Sequence, residues 1–155
     1  MRFKEVLKKI FEPTVVYAHC DIPCGIYDPN TAQIAALTVI RMMDLLQESK
    51  DSHDIIRYVD AKEDHAEKCK HEMRVIYGDY FQKEHFEKYP DLHDLNHQVM
   101  QLASKAKQGR DRKVAEELLE TINRIAEIFW ETKDMKTKRV ESPYSVKEEI
   151  VLPEL

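Results

Sequence analysis

The sequence predicts an all-α protein: an antiparallel four-helix bundle preceded by an N-terminal metal-binding hook. Three observations carry that expectation. Glycine is scarce, with three in 155 residues, and the polar positions are mostly Glu, Lys, Asp and Gln, a composition that favours helix. Four stretches repeat apolar residues at helical spacing between short connections, the pattern of an up-and-down bundle. Residues 19–29, HCDIPCGIYDP, gather a His, two Cys and two Pro where no ordinary helix can run, because Pro23 and Pro29 lack an amide proton and restrict the residue before them.

Residues 1–18 read as a leader. Val6, Leu7, Ile10 and Phe11 recur at helical spacing until Pro13, and Lys8 and Lys9 interrupt the apolar run that a secretory signal would need. The leader holds four basic and two acidic residues, so its removal takes the net charge from −5 to −7. After the hook at 19–29, the bundle is expected over 30–133. Its first helix starts at Asp28-Pro29, a plausible cap and first-turn pair, and runs to Ser49 with Ala32, Ala35, Ala36, Val39, Met42, Met43 and Leu46 on one face. The second is expected from Asp54 to Gln82, its stripe interrupted by KEDH at 62–65 and carrying Gly78 near its end. A loop HFEKYP leads to the third, Asp91 to Gln108, which Gly109 ends. Asp111 caps the fourth, along which Ala115, Leu118, Leu119, Ile122, Ile125, Ala126 and Phe129 keep the spacing. The extension 134–155 mixes charges, two prolines and short apolar pieces, and reads as an extended arm or a loose end.

The bulk numbers exclude several classes. A net charge of −5 argues against nucleic acid or an anionic membrane as partner. No apolar run approaches the length of a membrane span. An odd number of cysteines does not make a disulfide framework, and the composition fits a reducing compartment, so a cytoplasmic location is expected.

The hook holds Cys20 and Cys24, and Cys20 directly follows His19, while Gly25 permits a sharp turn after the second thiol. The C-x-x-x-C spacing leaves metal binding, redox chemistry, a local disulfide and simple burial open. Two thiolates and an imidazole suit soft or borderline metals. Zinc asks for four side-chain ligands, and His19, Cys20 and Cys24 are three, with Asp21 as a harder fourth. A square-planar metal such as nickel or copper can recruit backbone nitrogen instead, and a chain cut before His19 would add an amine.

HCDIPCGIYDP resembles the nickel hook of the nickel superoxide dismutase family, whose mature chains begin at that His. DYF at 79–81, HFEKYPDLH at 85–93 and IFWETK at 128–133 resemble the family in the same register. The resemblance implies that Cys20 and Cys24 supply thiolates, that the Cys20 amide nitrogen and the His19 amine complete a square plane, and that the His19 imidazole binds axially to Ni(III). It implies that Asp21 and Pro23 shape the hook and that Tyr27 and Tyr80 stand at the substrate entrance. It also implies a nickel cofactor, superoxide as substrate, a homohexamer, and a maturation protease cutting between Ala18 and His19. If no cut occurs, the alternative is a non-catalytic nickel- or copper-binding helical oligomer.

The sequence departs from the family at two positions that surround the axial imidazole. Where the family carries a Glu on the first helix and an Arg on the second, this chain has Ala35 and His65. Losing both is coherent, because either alone would leave a buried charge unpaired; either His65 or water takes over the orienting bond to His19, or the axial ligand is loose and turnover is weakened. Elsewhere, His93 and His97 at i and i+4 read as surface histidines, Cys69 between His65 and His71 reads as core, and Phe129 and Trp130 read as a seal at the bundle end or a subunit contact.

Overall fold

The computed structural model describes residues 24–155; the leader, His19, Cys20, Asp21 and Pro23 lie outside the described residues. The helical stripes form α1 (Asn30–Glu48), α2 (Ser52–Val75), α4 (Leu92–Gln108) and α5 (Arg112–Glu131), with a short α3 (Lys83–Lys88) between α2 and α4. Helix α1 packs on α2, α2 on α4, α4 on α5, and α5 back on α1, which closes the ring of a four-helix bundle. Inside it lie Ala32, Ala36, Val39, Ile40 and Met43 of α1, Ala66, Cys69 and Met73 of α2, Leu92, Val99 and Ala103 of α4, and Leu118, Ile122, Ile125 and Phe129 of α5. The small residues of α1 let α2 approach closely, so the Cys69 thiol reaches the Ala32 carbonyl at 3.6 Å. Cys69 is core, as its place in the stripe predicts, and burial pushes its thiol up to about 12.

The helix caps follow the sequence. Asp28 Oδ1 accepts the Asn30 amide at 2.8 Å beside Pro29, and Asp111 Oδ1 accepts the Lys113 amide at 3.0 Å. The polar interruption in α2 also has a role. Lys62 is buried, and its Nζ donates to the carbonyls of Lys107 and Gly109 at 2.8 and 2.7 Å, placing a cation on the C-terminal end of α4. Desolvation lowers its pKa.

Three expectations are corrected. The second helix does not continue to Gln82: its α geometry stops at Val75, and Ile76–Tyr80 form one π-helical turn, closed by the Phe81 amide on the Ile76 carbonyl at 3.1 Å. The segment HFEKYP is not all loop, because Gln82 and His85 form a reciprocal capping box that starts α3. The extension is not a loose end. Strands β1 (Thr137–Glu141) and β2 (Glu149–Pro153) pair antiparallel, Arg139 opposite Val151, and the hairpin packs on α1 and α5 of its own chain.

The outer edge of β2 is paired by side chains rather than by a third strand. Gln33, fully buried on α1, donates from Nε2 to the Val151 carbonyl at 3.1 Å and accepts the Val151 amide on Oε1 at 2.6 Å. Two residues earlier on the same edge, the Glu149 carbonyl accepts from Asn123 Nδ2 at 2.9 Å. Arg139 grips Glu120 and Glu127 of α5, and Arg112 bridges Asp44, Glu116 and Glu148. An open strand edge is thereby closed within the chain.

Candidate metal centre

The hook's second thiol stands at the start of the described residues. Cys24 is exposed, and Gly25 follows it at φ +70°, a left-handed turn that glycine adopts without strain. The turn brings the Ile26 amide back onto Cys24 Sγ at 3.4 Å. An N–H donor on sulfur is the kind of outer partner that stabilises a metal-bound thiolate. Cys24 therefore fits a soft or borderline metal in residue type, exposure and hydrogen bonding. Among the described residues there is no group of three or more His, Cys, Asp or Glu placed to hold a metal. His93 and His97 belong to no such group: His93 Nδ1 meets the Tyr77 hydroxyl at 2.7 Å, and His97 lies near Gln101.

Tyr27, three residues after Cys24, is brought to Tyr80, their ring centroids 5.6 Å apart. Tyr80 is the last residue of the π turn, a local widening that recurs at functional sites. The ring is held on several sides. Phe129 lies 4.5 Å away, the His85 ring stacks at 5.7 Å, and Phe81 meets it edge-on at 5.3 Å. Lys133 Nζ sits 4.9 Å from the Tyr80 centroid and 5.1 Å from that of Phe129, a cation over two aromatic faces. The Tyr80 hydroxyl meets Thr132 Oγ1 at 2.6 Å.

Thr132, Lys133 and His85 are residues of this cluster that sequence reasoning did not single out. Thr132 and Lys133 stand in the block IFWETK, but nothing in their spacing pairs them with a tyrosine 52 residues away from Thr132. Ala35 and His65 are described too. Ala35 is buried beside α2, and His65 is half-buried with Nδ1 2.8 Å from the Ala61 carbonyl. Because a carbonyl only accepts, Nδ1 carries the proton, and in the neutral ring Nε2 is left as an acceptor.

Comparison with known proteins gives one result throughout. The sequence model described as nickel-containing superoxide dismutase matches residues 14–133, beginning inside the leader and ending before the hairpin. The superoxide dismutases (Ni) of Streptomyces coelicolor and Streptomyces seoulensis are each 42% identical over 129 residues, covering 83% of this chain and 98% of theirs. A native nickel superoxide dismutase structure is 42% identical with a TM-score of 0.72, covering 74% of this chain and 99% of that one. A structure with nickel ligation of the oxidised state is 41% identical, with a TM-score of 0.72 over 75% of this chain and 99% of its own. With a match that runs from residue 14 to residue 133, through Cys24, Tyr27 and Tyr80, the chain belongs to the nickel-containing superoxide dismutase family.

Proposed function

We propose that this chain is the precursor of a superoxide dismutase that converts two superoxide ions and two protons to dioxygen and hydrogen peroxide at a nickel centre in the hook. The observation that carries the reading is the family match, which spans the whole hook and the bundle that presents it. His19, Cys20 and Cys24 would hold the metal, with Asp21 and Pro23 shaping the loop between them. Nickel bound there supplies one-electron chemistry between Ni(II) and Ni(III), which thiolate and amidate donors make accessible.

The protein's own residues do the rest. Tyr27 and Tyr80, whose ring centroids lie 5.6 Å apart, would stand together at the entrance to the metal and limit what reaches it. Lys133, held over the Tyr80 face, places a positive charge where an anion arrives, in a chain whose net charge is negative. His65, with Nε2 left as an acceptor, takes the orienting bond to the His19 imidazole that a carboxylate at Ala35 can no longer make.

The active form starts at His19, after a protease has cut the Ala18–His19 bond. Two findings support removal of the leader. The curated relatives and the solved chains are both covered almost completely, yet by 83% of this chain in one case and by 74–75% in the other, so the solved chains are the shorter. The family match also starts at residue 14, within the leader. The mature protein acts as a cytoplasmic homohexamer; among the described residues no helix is long and apolar enough to cross a membrane.

The test compares a chain beginning at His19 with the full chain, each supplied with nickel. Superoxide consumption far above that of free nickel ion by the first and not by the second supports the reading. Equal nickel binding with turnover by neither returns the protein to a non-catalytic metal binder.

A further inference from the structure

We propose that Thr132 is a positioning residue that fixes the proton of the Tyr80 hydroxyl, so that this hydroxyl donates into the protein and not to an anion at the mouth of the hook. The proposal rests on Tyr80 being part of the entrance. Tyr80 Oη and Thr132 Oγ1 are 2.6 Å apart, and on that distance alone either could donate. A second contact decides between them. Thr132 Oγ1 also lies 2.6 Å from the Phe129 carbonyl oxygen, the residue three before it on α5. A carbonyl oxygen has no proton, and a threonine hydroxyl has one. The Thr132 proton therefore goes to Phe129, and the proton between Thr132 and Tyr80 comes from Tyr80.

The ring cannot turn to escape this bond. Phe129, Phe81 and His85 hold it from the protein side, Tyr27 lies across from it, and Lys133 covers a face. A phenolic O–H keeps near the plane of its ring, so committing it to Thr132 leaves lone pairs on the remaining side of the oxygen. An anion that reaches Tyr80 thus meets attraction from Lys133 but no hydrogen-bond donor from the hydroxyl. The site draws anions in by charge without holding them by a hydrogen bond, which suits a substrate and a product that must both leave quickly.

The test uses Thr132→Val, which keeps the side-chain shape but removes the acceptor, and Thr132→Ser, which keeps the hydroxyl. The first readout is the Raman Fermi doublet of Tyr80, isolated as the difference between each chain and the same chain carrying Tyr80→Phe, with and without nickel. Strong donation makes the lower-frequency component the stronger. The parent and Thr132→Ser are expected to show that pattern, and Thr132→Val to lose it. The second readout is azide affinity of the nickel-loaded protein. With its proton released, Tyr80 gains the ability to donate to the bound anion, and a charge-assisted bond is expected to tighten azide about tenfold in Thr132→Val but not in Thr132→Ser or Thr132→Val/Tyr80→Phe. A Tyr80 doublet of acceptor type in the parent, or one unchanged in Thr132→Val, overturns the proposal. A doublet that changes as expected while azide affinity stays the same supports the proton assignment and overturns the placement of Tyr80 at the entrance.

Discussion

Gln33 offers the sharpest energetic prediction, because a single buried amide serves both backbone groups of one residue in the C-terminal hairpin. Gln33→Leu keeps the approximate volume and removes both bonds to Val151, at 3.1 and 2.6 Å, leaving an N–H and a C=O facing an apolar side chain. Gln33 and Val151 are 0% and 1% exposed, so water cannot replace the amide while the hairpin stays docked. Each unpaired buried group costs about 1–3 kcal/mol, and after the gain from a buried Leu the net loss is expected to be about 3 kcal/mol. The hairpin can also leave the bundle to rehydrate those groups, so the effect is local first, and global stability falls by no more than the docking free energy. Native-state hydrogen exchange at the Val151 amide reads it directly. A loss of about 3 kcal/mol lowers protection roughly a hundredfold, since each 1.4 kcal/mol is a factor of ten. Amides of α2 should change much less. Protection at Val151 that falls less than about threefold would refute the idea that this side chain acts as the missing strand on the edge of β2.

The other expectations concern the site and the core. Cys24→Ser, tested on the chain beginning at His19, should abolish stoichiometric nickel binding by equilibrium dialysis while leaving the helical circular dichroism unchanged, because Cys24 is exposed and outside the core. Lys133→Gln should slow superoxide consumption about two- to fivefold at low ionic strength and flatten its salt dependence, as expected when a charge that steers an anion is removed. His65→Ala should keep nickel but loosen the His19 imidazole that would hold it, seen as an altered electron paramagnetic resonance signal of the oxidised centre; an unaltered signal with full activity removes His65 from that role. Cys69 ties stability to alkaline pH. Its folded-state value is raised from 9.0 to about 12, so the unfolded chain ionises first as pH climbs. Stability conferred by keeping this thiol protonated is complete below pH 9 and is lost between about 9 and 12, by at most about 1.4 kcal/mol per pH unit. Cys69→Ala should remove that part of the slope in urea titrations.

The bundle was legible because its signals are local and periodic. Apolar stripes at 3.6-residue spacing place Ala32 to Leu46 and Ala115 to Phe129 on inward faces, and Asp28 and Asp111 announce their helix starts. The π turn was not, since IYGDY continues the stripe of α2 with Ile76 buried and differs only in how many residues each hydrogen bond spans. The hairpin was hidden for another reason. Its loop has no Asn-Gly or Gly pair, and the left-handed turn position is filled by Lys147 at φ 54°. The residues that hold β2 in place, Gln33 and Asn123, sit on helices far away in sequence and look like ordinary polar positions. The hook residues and the two tyrosines were singled out from the resemblance, because motif residues stand next to one another, and of these the structure brings Tyr27 to Tyr80. The cluster of Thr132, Lys133 and His85 around Tyr80 could not, because it exists only once the π turn has brought Tyr80 to the end of α5.

The central claim, a nickel superoxide dismutase whose metal site is completed by processing, is tested most directly by the intact mass of the nickel-loaded protein isolated from the cells that make it. The account predicts a chain whose first residue is His19, carrying one nickel ion and active toward superoxide. An active, nickel-loaded chain that still begins at Met1 would contradict it, because the amine at His19 would not exist.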